Sequence, residues 1–253
     1  MSFEEKYQVE RTKWDTLAER KTNINLLLSS QDDFYKYAQR TSTMVGVKEF
    51  LGNLHGKRVL ELGCGLGQTA TLLARSGAIV TSFDLSEAST KVAKKRAIVN
   101  RVEGKIHLAV AVGESLPYAN ERFDIIFGKA ILHHLDVKHS SCHIHRVLKK
   151  RGKAVFVEPM GMNPLLKFAR AHFYYPHKNP HGADHPLTYD DINAWGRKYS
   201  HFHYKEIQLL SMLERGLGFN KRLPFLQRLD KVLLGRVPSL RRFCRYVVMF
   251  MVK

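Results

Sequence analysis

Cysteine is scarce in this chain: Cys64, Cys142 and Cys244 are the three in 253 residues. An odd count without framework spacing excludes a secreted disulfide scaffold and suits a reducing compartment. None stand in a CxxC pair, which argues against a cysteine zinc site. Long apolar runs are missing too. The longest, Tyr246 to Val252, is far short of the roughly 20 residues that span a bilayer. The opening residues, MSFEEKYQVERTKWD, are charged and carry no apolar h-region, so we expect no secretory signal. The expectation is a cytoplasmic protein, at most peripheral to a membrane. Acid is the last shortage: 23 Asp+Glu face 41 Lys+Arg, a net charge of +18. That balance suits an acidic partner (nucleic acid, an anionic membrane surface or an anionic substrate) and says nothing about fold.

What is present is ordinary for a globular chain: 44% hydrophobic and 25% charged residues, which excludes disordered and collagen-like classes. The length suits a single α/β domain. Residues 1–55 read as helical, with Tyr7, Trp14 and Leu17, then Phe34, Tyr37 and Val45, at loose helical spacing. The pattern then changes to strand and helix in turn. Strands are expected at 58–62, 78–83, 106–112, 123–127 and 154–157, with helices over 68–75, 87–100 and 138–149 between them. Such alternation implies βαβ units, and right-handed crossovers then leave a doubly wound, mostly parallel sheet. Beyond Pro159 the rhythm breaks into a segment rich in Pro, His and aromatics. A strand at 202–209, a basic helix near 223–235 and a terminal strand at 243–252 follow.

Gly63-Cys-Gly65-Leu-Gly67 lies between the first strand and its helix. Glycines there permit positive φ and close approach of a ligand to the backbone. The loop falls short of G-x-G-x-x-G because Gln68 replaces the third glycine, and no Gly-Lys-Ser/Thr follows to make a P-loop. Asp84 closes the second strand, where a carboxylate accepts the ribose hydroxyls of a nucleoside. A tight strand-to-helix turn is the plain alternative for the glycines alone.

Four blocks together carry a family resemblance: Val-Leu-Glu-Leu-Gly-Cys-Gly-Leu-Gly (59–67), Phe-Asp-Leu-Ser (83–86), Glu-Ser-Leu-Pro-Tyr (114–118) and Arg-Phe-Asp-Ile-Ile-Phe-Gly-Lys-Ala-Ile-Leu-His-His-Leu (122–135). The chain resembles the class I S-adenosylmethionine-dependent methyltransferases, most closely the small-molecule, ubiquinone/menaquinone-type (type 11) branch. The resemblance is strong over residues 50–160. It implies a Rossmann-like seven-stranded, mostly parallel sheet with N-terminal helices and an insertion after the fifth strand. It also implies S-adenosylmethionine as cofactor, with Glu61, Gly63 and Gly65 around the methionyl part, Asp84 on the ribose and Leu85 on the adenine. Gly113 and Glu114 would lie at the adenine edge, and Lys129 and Ala130 beneath the sulfonium. Members usually carry an acid just before the position of Gly113; this chain has Val112, which shifts adenine recognition to backbone groups or Glu114.

Methyl transfer is an in-line displacement, so positioning dominates, and an oxygen or carbon acceptor also calls for a base. Among 13 histidines, His133 and His134 follow the fourth strand on the substrate side and are candidates, as is His185; packing at a helix entry is the alternative for the pair. His139 and His143 stand at i, i+4 beside Cys142 and His145, and read as a solvated face rather than a metal site. Phe168, Phe173, Tyr174 and Tyr175, with His181, Asp184 and His185, would wall an acceptor pocket in the insertion.

The expected organisation is a single methyltransferase domain. Within it, residues 1–55 form a helical cap, 56–160 the cofactor-binding core, 161–200 the acceptor cap, and 201–253 the C-terminal strands with a basic helix. The expected activity is methyl transfer to oxygen or carbon of a small, apolar or lipid-like acceptor. The alternatives are an RNA methyltransferase, drawn by the net charge, and a non-catalytic binding protein on the same fold. Against RNA stands Gly-Lys-Ala-Ile where base-amine methylation would place Asn/Asp-Pro-Pro-Tyr/Phe. The basic amphipathic stretch at 223–242, with Leu226, Leu229, Val232 and Leu233 on one face, either covers the sheet or rests on an anionic membrane.

Overall fold

The computed structural model describes residues 3–20, 25–172, 185–216 and 223–253. Three helices come first: α1 (Phe3–Arg20), α2 (Phe34–Arg40) and α3 (Val47–Leu51). The alternating core follows as β1 (Arg58–Leu62), α4 (Gln68–Arg75), β2 (Ile79–Asp84), α5 (Glu87–Val99), β3 (Ile106–Val110), β4 (Phe123–Lys129), α6 (Val137–Val147) and β5 (Leu148–Pro159). Then come α7 (Pro164–His172), α8 (Tyr189–Gly196), β6 (His201–Ile207), α9 (Leu213–Gly216), α10 (Pro224–Arg236) and β7 (Tyr246–Val252). Short 3-10 turns at Leu132–His134 and Pro238–Phe243 precede α6 and β7.

Seven strands form one sheet in the order β3-β2-β1-β4-β5-β7-β6. The first five are parallel, and β7 runs antiparallel to both β5 and β6. This is the doubly wound, mostly parallel sheet that the alternation predicts. Side-chain alternation builds two cores. Leu60, Ile126, Phe156 and Met249 point to one face with α6 and α8, where Ile144, Val147, Ile192 and Trp195 are buried. Val59, Phe127, Val155 and Phe250 point to the other, against Phe34, Val47, Leu72 and Leu73 of α2, α3 and α4. Each fully buried side chain of this size contributes roughly 1.5–3 kcal/mol.

Several boundaries differ from the sequence reading. β5 begins at Leu148 rather than near 154: its first residues, Lys149 to Lys153, form a polar, irregular stretch in which Arg151 takes φ +59° and the pairing with β4 skips from Leu148 to Lys153. α6 accordingly stops at Val147. β3 ends at Val110, and the terminal strand starts at Tyr246 after the 3-10 turn.

Candidate active site

The strand order reverses beside β1, between β2 and β4, and in an open α/β sheet the crevice beyond the carboxyl ends there takes ligands. The loop after β1 is shaped for it. Gly67 has φ +76°, and a Cβ there would stand 2.7 Å from Ala93 of α5, so a bare backbone lets α4 and α5 approach. Gly65 has φ +47°, and a Cβ there would meet nothing within 4 Å, which leaves open space at that point of the loop. Asp84 binds the loop: its Oδ2 accepts from Gly65 N at 2.8 Å and its Oδ1 from Ser86 N at 3.0 Å. Burial raises the Asp84 pKa, and the Ser86 and Gly65 N–H groups hold it back.

Glu61 is buried at the end of β1, its Oε2 accepting from Ser82 Oγ at 2.7 Å. Burial pushes its pKa up to about 8, with the nearby Asp84 charge adding to the rise. A cavity of about 250 Å³ opens above β1, β2 and β4, lined by Gly63, Gly65, Asp84, Leu85, Gly113, Glu114 and Lys129 among others. Glu61 lines an adjoining hollow of about 590 Å³ that shares Gly63 and Lys129 with the first. The nine residues to which the family resemblance gives cofactor roles, Ala130 among them, therefore line these two adjoining cavities. Val112 lines the cavity too. Glu114 Oε1 accepts from Asp136 N at 3.1 Å, tying this wall to the start of α6. Lys129 Nζ lies 3.3 Å from Tyr37 Oη. Next to it, Ala130 takes φ +56°, a costly conformation for a residue with a Cβ, held by its N–H donating to Val157 O at 2.8 Å.

The three candidate bases occupy different places. His134 lines the cavity. Its Nδ1 is 2.8 Å from Glu10 Oε1, and its ring packs edge-on to Trp14. His133 sits behind it, ring centroids 4.1 Å apart, with Nδ1 2.7 Å from Glu158 Oε2. Glu158 is fully buried, and its other oxygen accepts the Ile131 and Leu132 N–H groups at 2.9 Å each. His185 meets the same turn through its main chain, N to His133 O at 3.3 Å, while its side chain is exposed.

Reading the sequence missed the wall that α1 supplies. Tyr7, Glu10 and Trp14 share one helical face and line the cavity, with Glu10 buried. Burial, and then the Glu114 charge, push the Tyr7 phenol above its ordinary range. The signal available was an acid set between two aromatics at i, i+3 and i+7. In the insertion, Phe168 is 56% exposed and stacks on His172; Phe173, Tyr174, Tyr175, His181 and Asp184 lie outside the described residues. His139 is exposed and pairs with Asp136 at 2.7 Å, and Cys142 is exposed as well.

A glycine loop, a strand-ending acid and a recess at the reversal of strand order define a doubly wound protein that binds a nucleoside-bearing cofactor. Comparison with known proteins narrows this. A methyltransferase-domain family model matches residues 60–156. A ubiquinone biosynthesis O-methyltransferase of Alkalilimnicola ehrlichii is 35% identical over 179 residues, covering 69% of this chain and 69% of the relative. One of Bordetella avium is 33% identical over 118 residues, 47% of this chain; the match spans about half of that relative's length (48%). The chain belongs to the class I S-adenosylmethionine-dependent methyltransferases, and S-adenosylmethionine is its cofactor. Among solved structures, a geranyl diphosphate C-methyltransferase from Streptomyces coelicolor, in complex with Mg2+, geranyl diphosphate and S-adenosyl-L-homocysteine, matches with a TM-score of 0.66. It covers 98% of this chain and 97% of its own at 14% identity, a likeness of fold.

Proposed function

We propose that this methyltransferase acts on an oxygen or carbon of a small, apolar or lipid-like acceptor, with His134 as the base. Oxygen is the first choice, since the relatives at 30% identity or more include ubiquinone biosynthesis O-methyltransferases. The observation that carries the reading is the placement of His134. His134 lines the recess with Lys129, Ala130 and Ile131 while Glu10 engages its Nδ1. A carboxylate on one ring nitrogen fixes the tautomer and leaves the other nitrogen to accept a proton.

Bound S-adenosylmethionine supplies an electrophilic methyl group on a sulfonium. In this reading Asp84 accepts the ribose hydroxyls, Leu85 packs on the adenine, and Gly113 and Glu114 meet its edge in place of the acid that Val112 lacks. Glu61 would face the methionyl ammonium, Gly63 and Gly65 would give backbone approach, and Lys129 and Ala130 would lie beneath the sulfonium. His134 would take the proton that the acceptor gives up when it is methylated. The imidazolium that results is balanced by Glu10. Helix α1 flanks the acceptor through Tyr7, Glu10 and Trp14 and excludes water, which strengthens each of these interactions.

The test is methyl transfer from labelled cofactor to phenols with and without an isoprenoid tail. His134→Asn lowers kcat by roughly 10²–10⁴-fold with little change in cofactor KM, and Glu10→Gln follows in the same direction by a smaller factor. Tailed phenols are preferred to bare ones. Wild-type turnover in His134→Asn would remove the base assignment, and preference for bare phenols the lipid-like acceptor.

A further inference from the structure

Helix α10 presents an apolar stripe to the outside. Phe225 is 61% exposed, Leu229 41% and Val232 46%, at i, i+4 and i+7 on one face. The opposite face does the packing: Leu233 and Leu234 join the core. Buried Asp230 accepts the N–H groups of Leu209, Leu210 and Ser211. Of the two alternatives open for the face of Leu226, Leu229, Val232 and Leu233, covering the sheet applies to Leu233, while Leu229 and Val232 look outward. A covered face is thereby not what this stripe provides.

Charge is arranged around the stripe. Residues 224–245 hold six Lys and Arg and one acid, Asp230, which points inward. Arg228, Lys231, Arg236, Arg241 and Arg242 are all exposed. Exposed apolar side chains on a helix, rimmed by cations with no exposed acid, fit the boundary of an anionic bilayer. A phosphate backbone would use the cations and leave Phe225, Leu229 and Val232 without a partner.

The topology gives the surface its place. β6 and β5 both run antiparallel to β7, so β6 is parallel to β5 and its carboxyl end lies at the same edge of the sheet as those of β1 and β4. Asp230 fastens α10 to the residues that directly follow β6. The helix therefore sits at the edge where the cofactor recess opens, some strands away along it. Asn163 Nδ2 donates to Phe243 O at 2.6 Å, which brings the start of α7, with Leu165 73% exposed, beside the basic 3-10 turn.

We propose that α10 and the turn at Pro238–Phe243 form a docking surface for an anionic lipid bilayer, with Phe225, Leu229 and Val232 entering the headgroup boundary. Docking there turns the cofactor edge of the sheet toward the membrane. The inference goes beyond the acceptor reading, and its readout is independent of methyl transfer.

The full chain is floated with phosphatidylcholine vesicles, with and without phosphatidylglycerol. We expect binding to the anionic vesicles, released at about 1 M salt, where screening is nearly complete. Phe225→Ser/Leu229→Ser/Val232→Ser weakens it at least tenfold, and Arg228→Gln/Arg236→Gln/Arg242→Gln by roughly fivefold per cation removed. These side chains are exposed, so circular dichroism stays unchanged. Phe225→Trp gives a second reading, a blue shift of emission with anionic vesicles alone. No binding, or equal binding by wild type and both variants, overturns the proposal. So does tighter binding to an RNA oligonucleotide that the apolar variant retains, or self-association that the apolar variant abolishes.

Discussion

At the scale of single residues, Glu61 is the side chain whose chemistry the sequence least advertises. It lies in Val-Leu-Glu-Leu, an apolar strand pattern, and becomes a buried carboxyl with a pKa of about 8. At neutral pH the free protein then keeps the proton for the most part. A cationic amino group brought against it favours the ionised form, so cofactor binding releases a proton below about pH 8. Calorimetry at pH 7 in two buffers of different ionisation enthalpy should find close to one proton released. Apparent affinity should fall up to tenfold for each pH unit lowered. Glu61→Gln abolishes the release and weakens binding; unchanged release in that variant assigns the proton elsewhere. Asp84 was legible from its place at a strand end, and Asp84→Ala should weaken cofactor affinity by about 10–100-fold, as loss of hydrogen bonds to a charged acceptor does. Glu10 and Glu158 were not legible as histidine partners. They approach His134 and His133 from 124 and 25 positions away, and no local pattern reports such a pairing.

At the scale of elements, the strands and crossover helices of 58–159 were legible because period and turn chemistry agree there, while α1 was legible as a helix and not as a wall. Its docking explains why. Asp15 Oδ1 accepts from Ser86 Oγ and from Ala88 N at the start of α5, which lays the Tyr7–Glu10–Trp14 face over the recess. Asp15→Ala should leave the sheet intact and cost about 1–2 kcal/mol at this contact. The readout is amide exchange: protection drops across residues 3–20, with the sheet unchanged and cofactor KM raised several-fold. Uniform loss of protection would mean that α1 is part of the global folding unit. The α4–α5 approach makes the opposite kind of prediction. Gly67→Ala places a Cβ against Ala93 at a positive φ, and strain plus overpacking should destabilise the fold by about 2–4 kcal/mol, read from denaturant midpoints.

At the scale of the whole molecule, the net charge of +18 and the buried acids act on different things. The cations are spread over the outside, with a cluster at α10 whose one acid, Asp230, points inward, and bear on what the surface meets. The acids bear on stability through pH. Burial holds the Glu61 pKa near 8 in the folded protein, against an ordinary value of 4.5. Between those values the unfolded chain has lost the proton and the native protein keeps it. This contribution is therefore fully present below about pH 4.5 and is lost as pH rises toward 8, for a total of several kcal/mol. Asp84, also raised, acts with the same sign. His145, lowered by burial and by Lys253 and Lys198, opposes it by stabilising the fold as pH rises through the histidine range. The net curve mixes these, so the clean measurement is the difference between wild type and Glu61→Gln. Melting temperature of the free wild type should fall relative to the variant from pH 5 to 8, by roughly 2–4 °C for each kcal/mol. Saturating cofactor should flatten that difference on the wild-type side, because the bound ammonium replaces the proton. A pH-independent difference would show that Glu61 ionises in the native protein without penalty, and with it the recess would lose its reason to select a cation.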